Sequence, residues 1–332
     1  MEGPVRYYIL SYVVHPLAYE LEYGYNMATP ANFETVKLGE NINTNPECGN
    51  EASETRPVPS FSSPDLASPQ SSEGAMAAEW FDWHNGALLR IEELRSSVPD
   101  SKRIKIAILD SGIDLTSDEK EIYDYDSRMK YKSWIDSDPE WKDEVGHGTH
   151  LATLLLRIAP NAIVHVARVF KQQRQGLDSA PLIAEAIQHA AKVWQVDIVI
   201  MSFGFPCEID VIHKAIKSAT LNENILFFAA ASNDGNNRPG GVVWPAKDMN
   251  VICVHSGNGR GKPSSFTPSA QDGMRVMVLG DSVKSTWPLK LQEGDERVID
   301  GTSCATPTAA GIAALILDYA RVFLTPEEWV EL

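Results

Sequence analysis

Residues 104–114 read IKIAILDSGID, a short apolar run that ends in a carboxylate and a glycine turn. Continuous apolar runs of this length are typical of strands in a parallel sheet that is buried on both faces. Four further runs follow along the chain, and we predict a strand at each of them: AIVHVARVF (162–170), VDIVIMSF (196–203), NILFFAAA (224–231) and NVICVHS (250–256).

Helical segments lie between these apolar runs. PLIAEAIQHAAKVWQ (181–195) and DVIHKAIKSATLNE (210–223) carry apolar residues at helical spacing. Strands that alternate with helices predict crossover connections on a parallel sheet. The sequence therefore predicts an α/β fold over residues 102–325, a three-layer sandwich with a mostly parallel sheet covered by helices on both faces.

The residues before this domain have a different composition. Residues 41–78 are rich in Ser, Pro, Asn and Glu and poor in large apolar residues, which predicts a low-complexity linker. Residues 1–40 are apolar enough to pack but too few to form a core alone, so they are an N-terminal segment of unknown role. Residues 79–101 have apolar positions at helical spacing, which predicts a leading helix.

The 332-residue chain has 29 Lys and Arg residues against 45 Asp and Glu residues, a formal charge of −16. Such a polyanion repels phosphate backbones, which argues against nucleic acid as a partner. No apolar run approaches the roughly 20 residues needed to cross a bilayer, so we expect no membrane segment. The N-terminus lacks a clear signal peptide; we expect a soluble protein and slightly favour an intracellular location, although the sequence does not determine the compartment.

Metal and disulfide chemistry have little support in the sequence. His147 and His150 in GHGTH could form half of a metal site, but no third ligand stands at a convincing spacing. We therefore expect no cofactor. No C-x-x-C pair occurs, so neither a zinc site nor a dense disulfide framework is supported and a reducing compartment is mildly favoured. The cysteines are Cys48, Cys207, Cys253 and Cys304.

Polar residues at the ends of the predicted elements could carry chemistry. Asp110 ends the first strand, where open α/β sheets keep their sites, although a turn or cap aspartate is an equally good interpretation. His147 stands between glycines that leave its ring unhindered. Ser303 lies in a Gly-Thr-Ser turn ahead of an Ala-rich helix, where the amide dipoles favour negative charge on an oxygen.

Asn233 follows an apolar run in a polar Ser-Asn-Asp-Gly turn. Its side-chain amide could donate to a developing oxyanion, a contribution of roughly 3 to 4 kcal/mol. Taken singly, Asn233 could be an ordinary turn residue and Ser303 a helix cap. Together with Asp110 and His147 they favour nucleophilic catalysis.

Five stretches resemble the motifs of the subtilisin-like serine proteases, the subtilase family, in that family's order of Asp, His and Ser. The resemblance spans residues 102–321 and implies a subtilisin-like fold for the predicted domain. The stretches are AILDSGID (107–114), GHGTHLAT (146–153), VIMSFG (199–204), FFAAASNDG (227–235) and DGTSCATPTAAGIAAL (300–315).

This resemblance implies a role for each matching residue. Ser303 would be the nucleophile, His147 the general base and Asp110 the carboxylate that fixes the imidazole. Asn233 and the backbone N–H of Ser303 would form the oxyanion hole. A peptide or protein substrate would add as a strand, with the contacts implied for Ser202, Phe203, Gly204, Ala230 and Ser232.

The sequence departs from the family pattern at several positions. Ser232 stands where Gly usually precedes the oxyanion Asn, which would narrow the primary pocket or add a hydrogen bond to the turn. Cys304 replaces the usual Met, and its thiol would make the enzyme sensitive to mercurials. Thr308 replaces the usual His, and Leu279 stands where Pro is common. No inhibitory pro-domain can be identified, and calcium, which relatives bind, has no recognisable site here; additional domains or an inhibitor stay open as partners.

The presence of all four site residues favours an active serine endopeptidase. The alternative is a catalytically idle protease-like domain with a regulatory or binding role in a larger protein. A third hypothesis is action on a specialised precursor peptide or a non-peptide ester. The acidic stretch DSDPEWKDEVGH (136–147) further predicts a modest preference for basic residues near the cleaved bond.

Overall fold

The five predicted apolar runs all form strands of one parallel sheet. The computed structural model describes residues 72–95, 103–125, 127–137, 140–172, 176–235, 241–269, 273–292 and 294–323. Within them the sheet has seven strands in the order β2-β3-β1-β4-β5-β6-β7. These strands are β1 (Lys105–Asp110), β2 (Met129–Ser133), β3 (Ile163–Arg168), β4 (Ile198–Met201), β5 (Leu226–Ala230), β6 (Val251–Gly257) and β7 (Arg275–Leu279).

The two strands that the sequence did not predict, β2 and β7, lie at the edges of the sheet. In β2, MKYKS alternates more buried and exposed residues, which is the pattern of a strand with one face towards solvent. The central strands β1, β4 and β5 have apolar residues on both faces and are almost wholly buried. The other edge strand, β7, has the apolar sequence RVMVL but is only partly buried.

Helices cover both faces of the sheet, as the sequence predicted. Alternate strand residues such as Leu109, Met201 and Phe227 pack in one apolar cluster with α4 and α5. On the other face, α3 and α6 pack against each other and against the strands. The helices are α1 (Ser72–Arg95), α2 (Ser117–Tyr125), α3 (His147–Ile158), α4 (Ala180–His189), α5 (Asp210–Glu223) and α6 (Thr302–Phe323).

Helix α1 begins at Ser72, earlier than the predicted start at residue 79, so part of the predicted linker 41–78 is helical. Ala77 and Phe81 explain the difference, because both are buried in a cluster with residues of α3. Tertiary packing thus overrides a Ser- and Glu-containing composition that favours a linker. The predictions for residues 1–71 lie outside the described residues.

A two-stranded antiparallel hairpin, β8 (Val283–Thr286) and β9 (Glu296–Ile299), lies between the sheet and α6 in the sequence. The sequence did not predict it, since VKST and ERVI are short and polar. Within the described residues, no helix combines the length and apolar character needed to span a membrane.

Helices α3 and α6 approach closely where Gly311 meets Ile158. A Cβ added at Gly311 would lie 2.5 Å from Ile158 Cγ2 and 2.8 Å from Ile158 Cβ. Such a distance forces one helix to shift, because the core is already packed. The glycine therefore sets the separation of the two helices whose first turns carry His147 and Ser303.

We expect Gly311→Ala to lower the free energy of unfolding by about 1–3 kcal/mol through overpacking. Gly86→Ala is the matched control, because Gly86 is an exposed position of helix α1 with nothing within 4 Å of an added Cβ. That control should raise stability by about 0.5–1 kcal/mol through helix propensity. Urea unfolding of both variants measures the difference, and equal effects of the two substitutions would contradict the close contact.

Candidate active site

Asp110 lies at the carboxyl end of β1 with its side chain buried. Its Oδ1 is 2.8 Å from His147 Nδ1, and because a carboxylate only accepts, the imidazole donates this hydrogen bond. The backbone N–H and the hydroxyl of Ser111 donate to the same oxygen at 2.8 and 3.2 Å. The hydrogen bonds from Ser111 therefore hold the Asp110 carboxylate in the orientation in which it accepts from the imidazole.

His147 is the first residue of α3, and Asp143 fixes the start of this helix. The carboxylate of Asp143 is fully buried and accepts from the backbone N–H groups of Val145, Gly146 and Thr149 at 2.8–2.9 Å. It also accepts from the Thr149 hydroxyl at 2.8 Å. A carboxylate at a helix N-terminus satisfies amide groups that would otherwise lack partners and interacts favourably with the helix dipole.

The electrostatics of this pair favour the protonated imidazole. Burial lowers the pKa of His147, yet its pKa lies above the ordinary value. The charge of Asp110, the hydrogen bond to it and the charge of Asp143 together outweigh the effect of burial. The two carboxylates therefore stabilise an imidazolium at this position.

Ser303 lies in the first turn of α6 and is almost fully buried. The Ser202 hydroxyl, directly after β4, donates to the Ser303 carbonyl oxygen at 3.1 Å. A Cβ added at Gly301 would lie 2.9 Å from Ser303 Oγ, 3.2 Å from Asn233 Nδ2 and 3.5 Å from the Ser303 backbone nitrogen. The hydroxyl and two N–H donors thus converge on one small space that glycine leaves open.

Asn233 is oriented by Thr302. The Thr302 backbone N–H and hydroxyl donate to Asn233 Oδ1 at 2.8 and 3.0 Å. Because the oxygen of the amide is occupied there, the NH₂ group is the end that faces Ser303. This role of Thr302 was not predicted from the sequence.

The residues that the sequence predicts to contact the substrate differ in their burial and neighbours. Phe203 is buried with its ring 5.0 Å from that of Phe170, so it packs in the core. Gly204 is half-buried, and a Cβ there would lie 2.1 Å from Val243 Cγ2. Ala230 is buried and pairs with Val254 of β6. Gly204 is the most exposed of the three.

Ser232 adopts a backbone φ of 146°, in the region that glycine prefers. This conformation explains why the resemblance leads one to expect Gly at this position. The Ser232 hydroxyl accepts from the Asp234 backbone N–H at 3.2 Å, so the side chain adds a hydrogen bond to the turn.

Two other departures from the family pattern are accommodated inside α6. Cys304 is fully buried, and burial raises the pKa of its thiol. The thiolate is the reactive form, so this environment argues against the expected sensitivity to mercurials. The Thr308 hydroxyl donates to the Cys304 carbonyl oxygen at 3.0 Å and is satisfied within the helix.

His150 does not join His147 in a metal site. Its Nε2 donates to the carbonyl oxygens of Val283 and Arg297, each at 3.1 Å. Burial and the neighbouring His147 lower the pKa of His150 to about 3, which keeps the ring neutral. No group of three His, Cys, Asp or Glu side chains suited to a metal occurs within the described residues.

Cys207 is disulfide-bonded, which the sequence did not predict.

The acidic stretch before His147 is largely used inside the protein. The buried Arg168 donates to Asp136 at 2.8 Å and to Glu144 at 2.7 Å, and Asp143 is saturated by its four hydrogen bonds. The single charge of Arg168 offsets part of the charge of Asp136 and Glu144, whereas the donors to Asp143 are neutral and leave its charge in place. The preference for basic residues stays a prediction.

The subtilase family model matches residues 101–332. The chain belongs to the subtilase family. It is 29% identical over 254 residues to the minor extracellular protease Epr of Bacillus subtilis, covering 74% of this chain. It is 31% identical over 230 residues to an intracellular serine protease of Paenibacillus polymyxa, covering 66% of this chain.

A solved structure named S41 psychrophilic protease has 27% identity and a TM-score of 0.55, covering 69% of this chain and 81% of that chain. In the two sequence comparisons, the region matched to this chain spans 37% of the length of Epr and 68% of the length of the Paenibacillus protease. The relatives thus include one protease named as extracellular and one named as intracellular.

We expect Asp143→Asn to lower the pKa of His147, because the substitution removes a negative charge that favours the imidazolium. An NMR titration of the imidazole carbon-bound protons measures this pKa without requiring activity. Asp118→Asn, on the exposed start of α2, is the control and should leave the pKa unchanged. Asp143→Asn should also lose about 1–3 kcal/mol of stability, since an amide cannot accept all four hydrogen bonds. An unchanged or raised pKa of His147 in a folded variant would be inconsistent with this electrostatic role.

Proposed function

We propose that this chain is a serine endopeptidase that hydrolyses peptide bonds through Ser303, His147 and Asp110. The observation that carries the proposal is the buried hydrogen bond of 2.8 Å from His147 Nδ1 to Asp110 Oδ1. This bond leaves Nε2 as the basic nitrogen of the neutral ring. Membership of the subtilase family and relatives named as proteases support the same activity.

In the proposed reaction, Ser303 Oγ attacks the scissile carbonyl carbon while His147 Nε2 takes the hydroxyl proton. The carbonyl electron pair moves onto oxygen, and His147 then returns the proton to the leaving amine as the C–N bond breaks. Water, activated by His147 in the same way, hydrolyses the acyl-serine. Asp110 stays ionised and stabilises the imidazolium formed in each half-reaction. Side chains and backbone handle every proton and charge, so the proposal requires no cofactor.

The proposed oxyanion hole consists of Asn233 Nδ2 and the Ser303 backbone N–H. Both lie within 3.5 Å of the point where a Cβ at Gly301 would stand, and Ser303 Oγ is 2.9 Å from that point. Donors that are fixed before the reaction stabilise the developing charge without reorganisation. Thr302 supplies the fixing contact to Asn233 Oδ1.

The proposed substrate is a peptide or protein that adds as a strand beside Gly204. Backbone pairing would give affinity there, and side-chain pockets would give preference. The second candidate, a catalytically idle binding domain, requires that Ser303 and His147 do not cooperate. Chemical labelling of the serine separates the two.

We expect a fluorophosphonate probe to label the wild-type protein at Ser303 and casein hydrolysis to accompany the labelling. Ser303→Ala should lose both, because the nucleophile is gone while the fold is kept. Intact mass and peptide mapping locate the label, and thermal unfolding shows that both proteins are folded. A folded wild type that takes no label would favour the idle domain.

We expect Asn233→Ala to lower kcat about 100- to 1,000-fold with little change in KM, since the donor acts on the transition state. Asn233→Asp is the informative companion, because it keeps the acceptor for Thr302 but loses the NH₂ donor. It should be as inactive as Asn233→Ala while being more stable. Activity close to wild type in Asn233→Asp would show that this residue only anchors Thr302.

A further inference from the structure

The β8–β9 hairpin packs directly on the turn that precedes His147. Gly146 has a backbone φ of 89°. A Cβ added at Gly146 would lie 2.4 Å from Cζ2, 2.5 Å from Cε2 and 2.8 Å from Cη2 of Trp287. The indole therefore occupies the space of a side chain at this position, in van der Waals contact with the backbone adjacent to His147.

The Trp287 ring is itself held in place. It is 6% exposed, and the Arg297 guanidinium lies 4.5 Å from its ring centroid. The Trp287 backbone N–H donates to the Asp295 carbonyl oxygen at 2.7 Å, across the hairpin connection. Packing and a cation–π contact thus fix the ring.

A second contact joins the hairpin to the same helix one turn further on. His150 Nε2 donates to one carbonyl on β8 and to one on β9, so the helix is tied to both strands. The His150 ring also lies edge-on to Trp287, with a centroid distance of 6.3 Å. Burial keeps His150 neutral, which preserves this donor over the working range of pH.

We infer that Trp287 is a positioning residue that holds His147 in contact with Asp110, an inference that rests on the proposed function. Asp143 accepts from the Gly146 backbone N–H, and Trp287 fills the space where a side chain at residue 146 would stand. Without the indole, the left-handed turn at Gly146 gains room and the imidazole can rotate away from the carboxylate. A misplacement of about 1 Å is enough to slow an enzyme on the order of 100-fold.

Trp287 acts through the volume of its ring, which fills the space beside Gly146. Within the described part of the chain, Trp287 Nε1 is buried and no acceptor lies within hydrogen-bond reach. Phenylalanine, which lacks this N–H, should therefore replace tryptophan with only partial loss. By contrast, the ion pair between Lys290 and Asp114 near the hairpin tip is half-exposed and should contribute little to the positioning of His147.

The test compares Trp287→Ala, Trp287→Phe and Phe81→Ala. Phe81 is a buried ring in the same apolar cluster, whereas the three atoms nearest to a Cβ at Gly146 all belong to Trp287, so the loss of Phe81 matches the lost packing. The readouts are kcat per fluorophosphonate-titrated site, the melting temperature, and the low-field proton resonance of His147 Nδ1. We expect Trp287→Ala to reduce kcat per site at least tenfold and to weaken the low-field resonance. Trp287→Phe should recover most of both, and Phe81→Ala should lower only the melting temperature.

Two results would overturn the inference. In one, Trp287→Ala keeps the kcat per titrated site and the low-field resonance of the wild type. In the other, Phe81→Ala loses as much kcat per titrated site and as much of the low-field resonance as Trp287→Ala. That result would mean that lower stability alone explains the loss. Failure of the proposed function has a different signature, since the wild type itself would then show no labelling, while the resonance would still report on Trp287.

Discussion

The buried hydrogen bond between Asp110 and His147 is the interaction on which the rest of the site depends. Burying a carboxylate and an imidazole costs free energy, which their mutual hydrogen bond offsets. Ser111 satisfies the carboxylate, and Asp143 fixes the helix that carries the imidazole. The elevated pKa of His147 is the electrostatic result of this arrangement.

The parallel sheet makes this arrangement possible, because β1, β4 and β5 are neighbours and end at one edge. Asp110 ends β1, and Ser202 and Asn233 follow β4 and β5. Ser202 and Asn233 hold the start of α6 through Ser303 and Thr302. Groups far apart in sequence are thereby fixed at one place. Glycines at the close contacts let backbone and rings approach where a Cβ would prevent it.

The strand interiors, the crossover helices and the order of the motifs could be predicted from the sequence, because burial on both faces leaves a continuous apolar run. The edge strand β7 was missed although it is apolar. The edge strand β2 and the β8–β9 hairpin could not be predicted, since their residues are mostly polar and their pairing is tertiary. The supporting groups were missed for a similar reason. Asp143, Thr302 and Trp287 act through contacts with residues that sequence spacing does not place nearby.

The most direct measurement is a crystal structure of the protein with a peptidyl phosphonate bound to Ser303. We expect the phosphonyl oxygen to accept hydrogen bonds of about 2.7–3.1 Å from Asn233 Nδ2 and the Ser303 backbone N–H. His147 Nδ1 should still donate to Asp110, and Thr302 should still hold Asn233 Oδ1. An adduct whose oxygen faces away from Asn233, or a His147 ring turned off Asp110, would contradict the proposed catalytic arrangement.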